Sequence, residues 1–313
     1  MPGTNVPGTI TQQGVLMAAN PLLNKLGLSD TDRAVIFHAD DIGVCQASVD
    51  AYDDLLDAGL VRSASAMVPC SWFPHAGALC RRRADECLDM GVHLTFTSEY
   101  ETYRWGALST REPASGLIDG EGYLPHTTAE VFADGVPDAI AIEAYAQIAH
   151  ARSCGVDVTH VDSHMNSILH PKFLDDYANI ARELRIPVLL FRIGAARAER
   201  FGYDAETARG LAEKFEAYAA EGLPALDHIT MMPLDDPDDR LDRAKKILDG
   251  LEPGITYFIL HPARDTPELR AMTSSWPSRV ADWETFQREE LRKHVEQAGI
   301  HVLEWRQIRD VCF

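Results

Sequence analysis

The chain has 313 residues, with 29 Lys and Arg against 48 Asp and Glu, a formal charge of −19 that opposes sequence-independent contact with phosphate backbones and anionic membranes. Hydrophobic residues make up 46%, enough for a full core and unlike a disordered chain, and no apolar run reaches the roughly 18–20 residues that span a bilayer. Six cysteines without a CxxC pair, and an N-terminus (MPGTNVPGTITQQG) without a basic start, read as a reduced cytoplasmic protein rather than a secreted disulfide scaffold.

Residues 1–30 read as an N-terminal arm. From residue 34 short β-rich runs alternate with amphipathic segments. AVIFHAD (34–40) is predicted as a strand, and 44–58 as a helix stopped by Gly59. RSASAMV (62–68) and MGVHLTF (90–96) are the next strands, with a helix at 73–85 between them. Thr97 to Pro137 breaks the rhythm with about forty residues of scattered Gly, Pro and aromatics (Tyr100, Tyr103, Trp105, Tyr123); a loop this long in a compact domain reads as a functional lid. A helix at 138–153 closed by Gly155, the strand VTHVDSH (158–164) and a helix at 172–185 behind Pro171 follow. PVLLFRI (187–193), LDHITMM (226–232) and ITYFILH (255–261) are three more strands, with helices at 205–221, 238–249 and 282–298; IHVLEW (300–305) offers an eighth strand. Such alternation implies right-handed βαβ units and a parallel sheet. Seven or eight units in one series fit a single α/β domain, 31–313, closed as a TIM-like (β/α) barrel. No Gly-rich phosphate loop follows the first strand.

In such a barrel the C-terminal strand ends share one rim, where active sites form. Asp40 and Asp41 end strand one, His93 and His164 lie near the ends of strands three and four, Arg192 near that of strand five, and His261 ends strand seven. The pleat puts Gly91, His93 and Thr95 on one face of strand three, and His160, Asp162 and His164 on one face of strand four. One carboxylate and two neutral imidazoles make a facial set for a divalent cation, and a second carboxylate beside it can take a proton from water. Neighbouring residues at a strand end point in different directions, so only one of Asp40 and Asp41 is expected to meet the ion directly.

HADDIG (38–43), GVHLT (91–95), HVDSH (160–164) and HPA (261–263) resemble, in order and spacing, the four motifs of the YdjC-like carbohydrate deacetylases, the ChbG/HpnK group, from residue 34 to about 305. The resemblance implies a (β/α) barrel and metal-dependent removal of acetyl groups from N-acetylated sugars. It implies Asp41, His93 and His164 as ligands of one divalent ion (Mg²⁺ or Zn²⁺), Asp40 as catalytic base and His261 as acid. Two departures stand out. The run after strand four is DSHMNSILHP where the family often has DSHxHxH, and HADDIG replaces the commoner NADDFG.

Other residues keep two readings. His160 and Asp162 read as groups that orient His164. Arg192 either holds Asp40 ionised or makes a salt bridge elsewhere. Tyr103, Arg104 and Trp105 form either a sugar platform or the packing of the lid on the barrel. His38 and His228 read as interior polar residues, and DDPDDR (235–240) as a helix start. The expected activity is hydrolysis of an acetylated amino sugar. Hydrolysis of another amide or ester, or a catalytically silent sugar- or metal-binding barrel, are the alternatives. The expected partners are that small-molecule substrate and a second copy of the chain as a homodimer, with no nucleic acid and no membrane.

Overall fold

The computed structural model describes residues 19–200 and 202–313. The rest of the predicted arm lies outside the described residues. Parallel strands β1 (Arg33–Ile42), β2 (Ser63–Ala66), β3 (Asp89–Leu94), β4 (Val158–Ser163), β5 (His228–Met231) and β6 (Gly254–Leu260) form a sheet in the order β4-β3-β2-β1-β6-β5. Segment 187–191 closes it: Val188 bridges Val161 of β4, and Phe191 bridges Leu226 just before β5. The result is a seven-stave barrel, as the alternation predicts. The predicted strand 187–193 makes only these two bridges. The Tyr177 hydroxyl occupies the seam beside β4, donating to Val161 O (2.9 Å) and accepting from Leu189 N (2.9 Å), so a side chain takes the place of part of a ladder.

The pleat sorts residues as polar in, apolar out. On β1, Phe37 meets Phe258 and Phe286 at centroid distances of 5.5 and 5.7 Å in the layer under the helices, while His38 faces the barrel axis toward His160 and Tyr257. The interior is therefore a buried polar column: His38, Ser63, Ser65, His93, His160 and Asp162 are all buried. Gly91 is required there, because a Cβ at that position would lie 2.5 Å from the His160 ring. Gly91→Ala should overpack this column and cost about 1–3 kcal/mol; an unchanged thermal midpoint would show that His160 can move aside.

Several elements differ from expectation. Residues 300–305 are not a full strand: β7 (His301–Val302) pairs only with Ala34 and Val35, and Trp305 opens a helix, Trp305–Cys312. The Asp89 carboxylate accepts from Trp305 N (2.7 Å) and Arg306 N (3.0 Å), which caps that helix, and Trp305 stacks on His160 at 5.0 Å to plug the base of the barrel. The predicted helix 282–298 is two helices, Trp276–Phe286 and Glu289–Gln297. The first begins where Pro277 sits in its opening turn, a start signal the periodicity overlooked. Pro171 precedes rather than opens the helix Leu174–Leu184. The end of the arm forms a short helix, Pro21–Lys25, with Leu22 and Leu23 buried, and Asn20 Nδ2 donates to Asp227 (2.9 Å). The segment 97–137 is a packed insertion with its own helix, Thr128–Asp134, and buried Trp105, Leu117, Leu124 and Val131. Among the described residues no helix is long and apolar enough to cross a membrane.

Candidate active site

The C-terminal ends of β1, β3, β4 and β6 bring Asp40, Asp41, His93, His164 and His261 into one buried cluster. Asp40 follows His38 by two along the pleat and faces inward with it. Asp41 should point the opposite way. Instead it adopts a left-handed backbone (φ 62°), inside the stretch where the β1–β2 register shifts between Ala39 and Ile42. A bulge of this kind re-aims a side chain, and here it turns Asp41 onto the imidazoles.

Asp41 Oδ1 lies 3.1 Å from His164 Nδ1 and 3.4 Å from His93 Nε2. The three residues can offer donor atoms within 4.8 Å of one another. Asp41 Oδ1 is buried and has no hydrogen-bond partner among the described residues. Its other oxygen accepts from Arg279 Nη1 at 2.8 Å. Burial works against the Asp41 charge, but Arg279 and His164 outweigh it and hold the carboxyl well below its usual range. Burial likewise opposes charge on the imidazoles. Asp162 and Asp40 nonetheless push His93 well above its ordinary value, and Glu99 and Asp41 raise His164 to about 9. Two imidazoles drawn toward protonation by surrounding carboxylates mark a pocket of negative potential, and an orphaned carboxylate oxygen between them fits a divalent cation.

Each imidazole has a carboxylate behind it. His93 Nδ1 lies 2.9 Å from Asp162 Oδ1, and His164 Nε2 lies 3.0 Å from Glu99 Oε2. Asp162 therefore backs His93, not His164, and His160 backs neither: its Nδ1 bonds Thr159 Oγ1 at 3.0 Å, deep in the column. Asp162 Oδ2 also accepts from Ser65 Oγ (2.9 Å) and Tyr257 OH (2.7 Å) and lies 3.1 Å from His38 Nε2.

Asp40 stands beside this set, with Oδ1 3.5 Å from His38 Nε2 and Oδ2 3.9 Å from His93 Nε2 and 4.0 Å from His261 Nε2. Its Oδ1 makes no hydrogen bond among the described residues. Burial, opposed by His93 and reinforced by Asp162, pushes its carboxyl up to about 7, in the range a general base needs. Burial drives His261 down to about 3, with Asp41 opposing and Arg279 assisting. His261 is thus neutral here. Its backbone N–H donates to Asp282 (3.0 Å), a buried carboxylate paired with Arg240 at 2.7 Å.

Arg192 is not at Asp40: its Nη1 donates to Asp227 Oδ1 at 3.0 Å. The guanidinium of the cluster is Arg279, which comes from a helix rather than a strand end. Trp105 is buried, with Nε1 donating to Thr97 O at 2.9 Å, and Tyr103 OH donates to Val44 O at 2.6 Å. Both rings pack the insertion on the barrel in this arrangement. Arg104 binds Asp119 at 2.6 Å and lies within hydrogen-bond reach of His126 Nε2 at 2.6 Å, filling with a guanidinium the cluster of Asp119, Glu121 and His126. Glu99, just beyond strand three, is a neighbour of the cluster that the strand-end pattern does not mark, and Tyr100, noted only as one of the insertion's aromatics, meets Arg279 beside it.

The profile of YdjC-like proteins matches residues 34–297. A carbohydrate deacetylase of Thermus thermophilus is 31% identical over 301 residues, 93% of this chain and 99% of its own. One from Thermoanaerobacter pseudethanolicus is 27% identical, with 79% and 88% covered. A solved structure from Enterococcus faecalis, named for cellobiose-phosphate cleavage, superposes with a TM-score of 0.73 at 22% identity, covering 89% of this chain and 99% of that one, and shares the fold. With the four motifs now gathered at one rim of one barrel, the chain belongs to the YdjC-like family.

Proposed function

We propose that this protein is a metal-dependent carbohydrate deacetylase, a hydrolase that removes the acetyl group from an N-acetylated sugar. The observation that carries the reading is the meeting of Asp41, His93 and His164 on one buried point with a second carboxylate, Asp40, beside them; relatives named carbohydrate deacetylases supply the substrate class. Asp41 Oδ1, His93 Nε2 and His164 Nδ1 would hold the ion, Mg²⁺ or Zn²⁺. A divalent cation held there lowers the pKa of water and polarises the acetyl carbonyl.

The chain's own groups handle the protons. Asp40, close to neutrality in its affinity for a proton, takes one from the attacking water. The proton that the leaving amine needs is the one Asp40 has taken from the water, and His261, 4.0 Å from Asp40, is the group placed to hand it on. Arg279 keeps Asp41 ionised throughout. The insertion that begins at Thr97 reaches the cluster through Glu99 and Tyr100.

Among the described residues the six cysteines are free thiols, which supports a cytoplasmic setting; the homodimer is read by sedimentation. The deciding experiment is acetate release from a panel of N-acetylated mono- and oligosaccharides, before and after chelation and with Mg²⁺ or Zn²⁺ restored. Release that a chelator abolishes and a divalent ion restores is the expected result. No release from any member of the panel with either ion would sink the assignment.

A further inference from the structure

We propose that Glu99 is a positioning residue of the metal centre, holding the His164 ring with Nδ1 turned to Asp41, and that it does so from the 97–137 insertion rather than from the barrel. The inference rests on the metal centre proposed above. The two imidazoles present opposite nitrogens to the same carboxylate oxygen: His93 offers Nε2 and His164 offers Nδ1. An imidazole can give a lone pair from one nitrogen only when its proton sits on the other. For His93 that proton goes to Asp162, part of the barrel wall. For His164 it goes to Glu99 Oε2, 3.0 Å from Nε2, and Glu99 is the insertion's own residue.

The turn that carries Glu99 is fixed on both sides. Ser98 N donates to Pro125 O (2.7 Å), and Ser98 Oγ accepts from Trp105 N (3.0 Å) and Arg104 Nε (3.2 Å). Arg104 ties the same turn to Asp119 and lies 5.2 Å from the Tyr123 ring centroid. Tyr100 OH, one residue beyond Glu99, accepts from Arg279 Nη2 at 3.4 Å, and Arg279 grips Asp41. The insertion therefore reaches the ligands from two directions, through Glu99 to His164 and through Tyr100 and Arg279 to Asp41. The aromatic and cationic residues 103–105 serve as the footing of this turn.

Carboxylates behind ligand imidazoles typically contribute 10–100-fold in metal affinity. The test is cobalt(II) titration of the full-length protein by its visible spectrum and by competition with a chelator, with no sugar present. Glu99→Gln should weaken cobalt binding about 10–100-fold and shift the visible bands, while the circular dichroism of the cation-free protein stays that of the wild type. Glu121→Gln, on the same insertion but turned to Arg104 (3.4 Å), should leave affinity and spectrum unchanged. Wild-type affinity and spectrum in Glu99→Gln would overturn the proposal, as would a loss of affinity in a variant whose cation-free form has lost the native circular dichroism, which marks a merely structural contact. A wild-type protein that binds no cobalt would remove the metal centre itself, a different failure from the first.

Discussion

Asp40→Asn is expected to bind a divalent ion nearly as the wild type does and to lose about 10²–10⁴ in kcat, the worth of a general base. Asn keeps the size of Asp and one acceptor oxygen but cannot take a proton at neutral pH. The nearest imidazole nitrogens to Asp40 are 3.5–4.0 Å away, so the substitution leaves the ligand set in place. Asp41→Asn should do the reverse. It removes the charge that faces His93, His164 and Arg279, so metal affinity falls and excess metal restores part of the rate. Asn is the fair replacement there, because it tolerates the left-handed backbone that Asp41 adopts (φ 62°). His93→Ala and His164→Ala should lose both bound metal and activity while the barrel still folds. Elemental analysis, followed by rates at saturating metal, separates these cases. If Asp40→Asn were the variant rescued by metal, the two aspartates would have exchanged roles; full metal occupancy in either His variant would remove it as a ligand.

Asp162→Ala should be the most destabilising single change in the barrel interior. The carboxylate accepts from Ser65 Oγ and Tyr257 OH and lies 2.9 and 3.1 Å from ring nitrogens of His93 and His38, and all four neighbours are buried. Removing it strands buried donors at roughly 1–3 kcal/mol apiece, and breaking a buried charged network of this kind costs about 3–5 kcal/mol in all. A typical domain has about 5–15 kcal/mol to lose. His93 holds the Asp162 carboxyl well below its ordinary value against the opposing effect of burial. A depressed carboxylate stabilises above its unfolded pKa and loses that contribution only as pH falls through the lower folded value. The gap between wild type and Asp162→Ala should therefore persist from neutral pH down through the ordinary carboxylate range. Denaturant melts of the cation-free proteins at pH 7 and pH 5 read it directly. A difference of about 1 kcal/mol or less, the size of an average substitution, would mean that water or a rearranged Tyr257 replaces the carboxylate.

The alternation of strand and helix, and the polar residues at strand ends, were legible because both follow from the pleat and from the parallel direction of the staves. Gly59 closing the first barrel helix in a left-handed conformation (φ 82°) is a local rule obeyed locally. What escaped depends on contacts distant in sequence. Nothing in the dipeptide Asp40–Asp41 announces a bulge, since Asp is at home in extended and left-handed backbone alike; only the register shift against β2 shows it. Arg279 comes from a helix 238 residues beyond the carboxylate it holds. Arg192 had the right place on a strand end and a different partner, Asp227, supplied by the next stave. Trp105 stands open between a sugar surface and lid packing in the sequence, because an aromatic in a long loop carries no mark of its burial; the structure has the packing, with the backbone carbonyl that receives its indole N–H eight residues back.

The seam between β4 and β5 gives the barrel an asymmetric resistance to opening. Elsewhere around the barrel neighbours are joined by ladders of at least four paired residues, or, between β1 and β2, by three pairs in all, two before a bulge and one after it, but segment 187–191 is held by one bridge on each side and a tyrosine hydroxyl. Amide hydrogens of Leu189 and Arg192, bonded across that seam to Val161 and Leu226, should exchange with solvent through a smaller opening than those of β1 or β6. An excursion that frees this segment uncovers one edge on β4 and one on β5, two unpaired rows of N–H and C=O groups. Aggregation of this barrel, where it occurs, would therefore begin from native-like molecules joined edge to edge at that gap, without global unfolding.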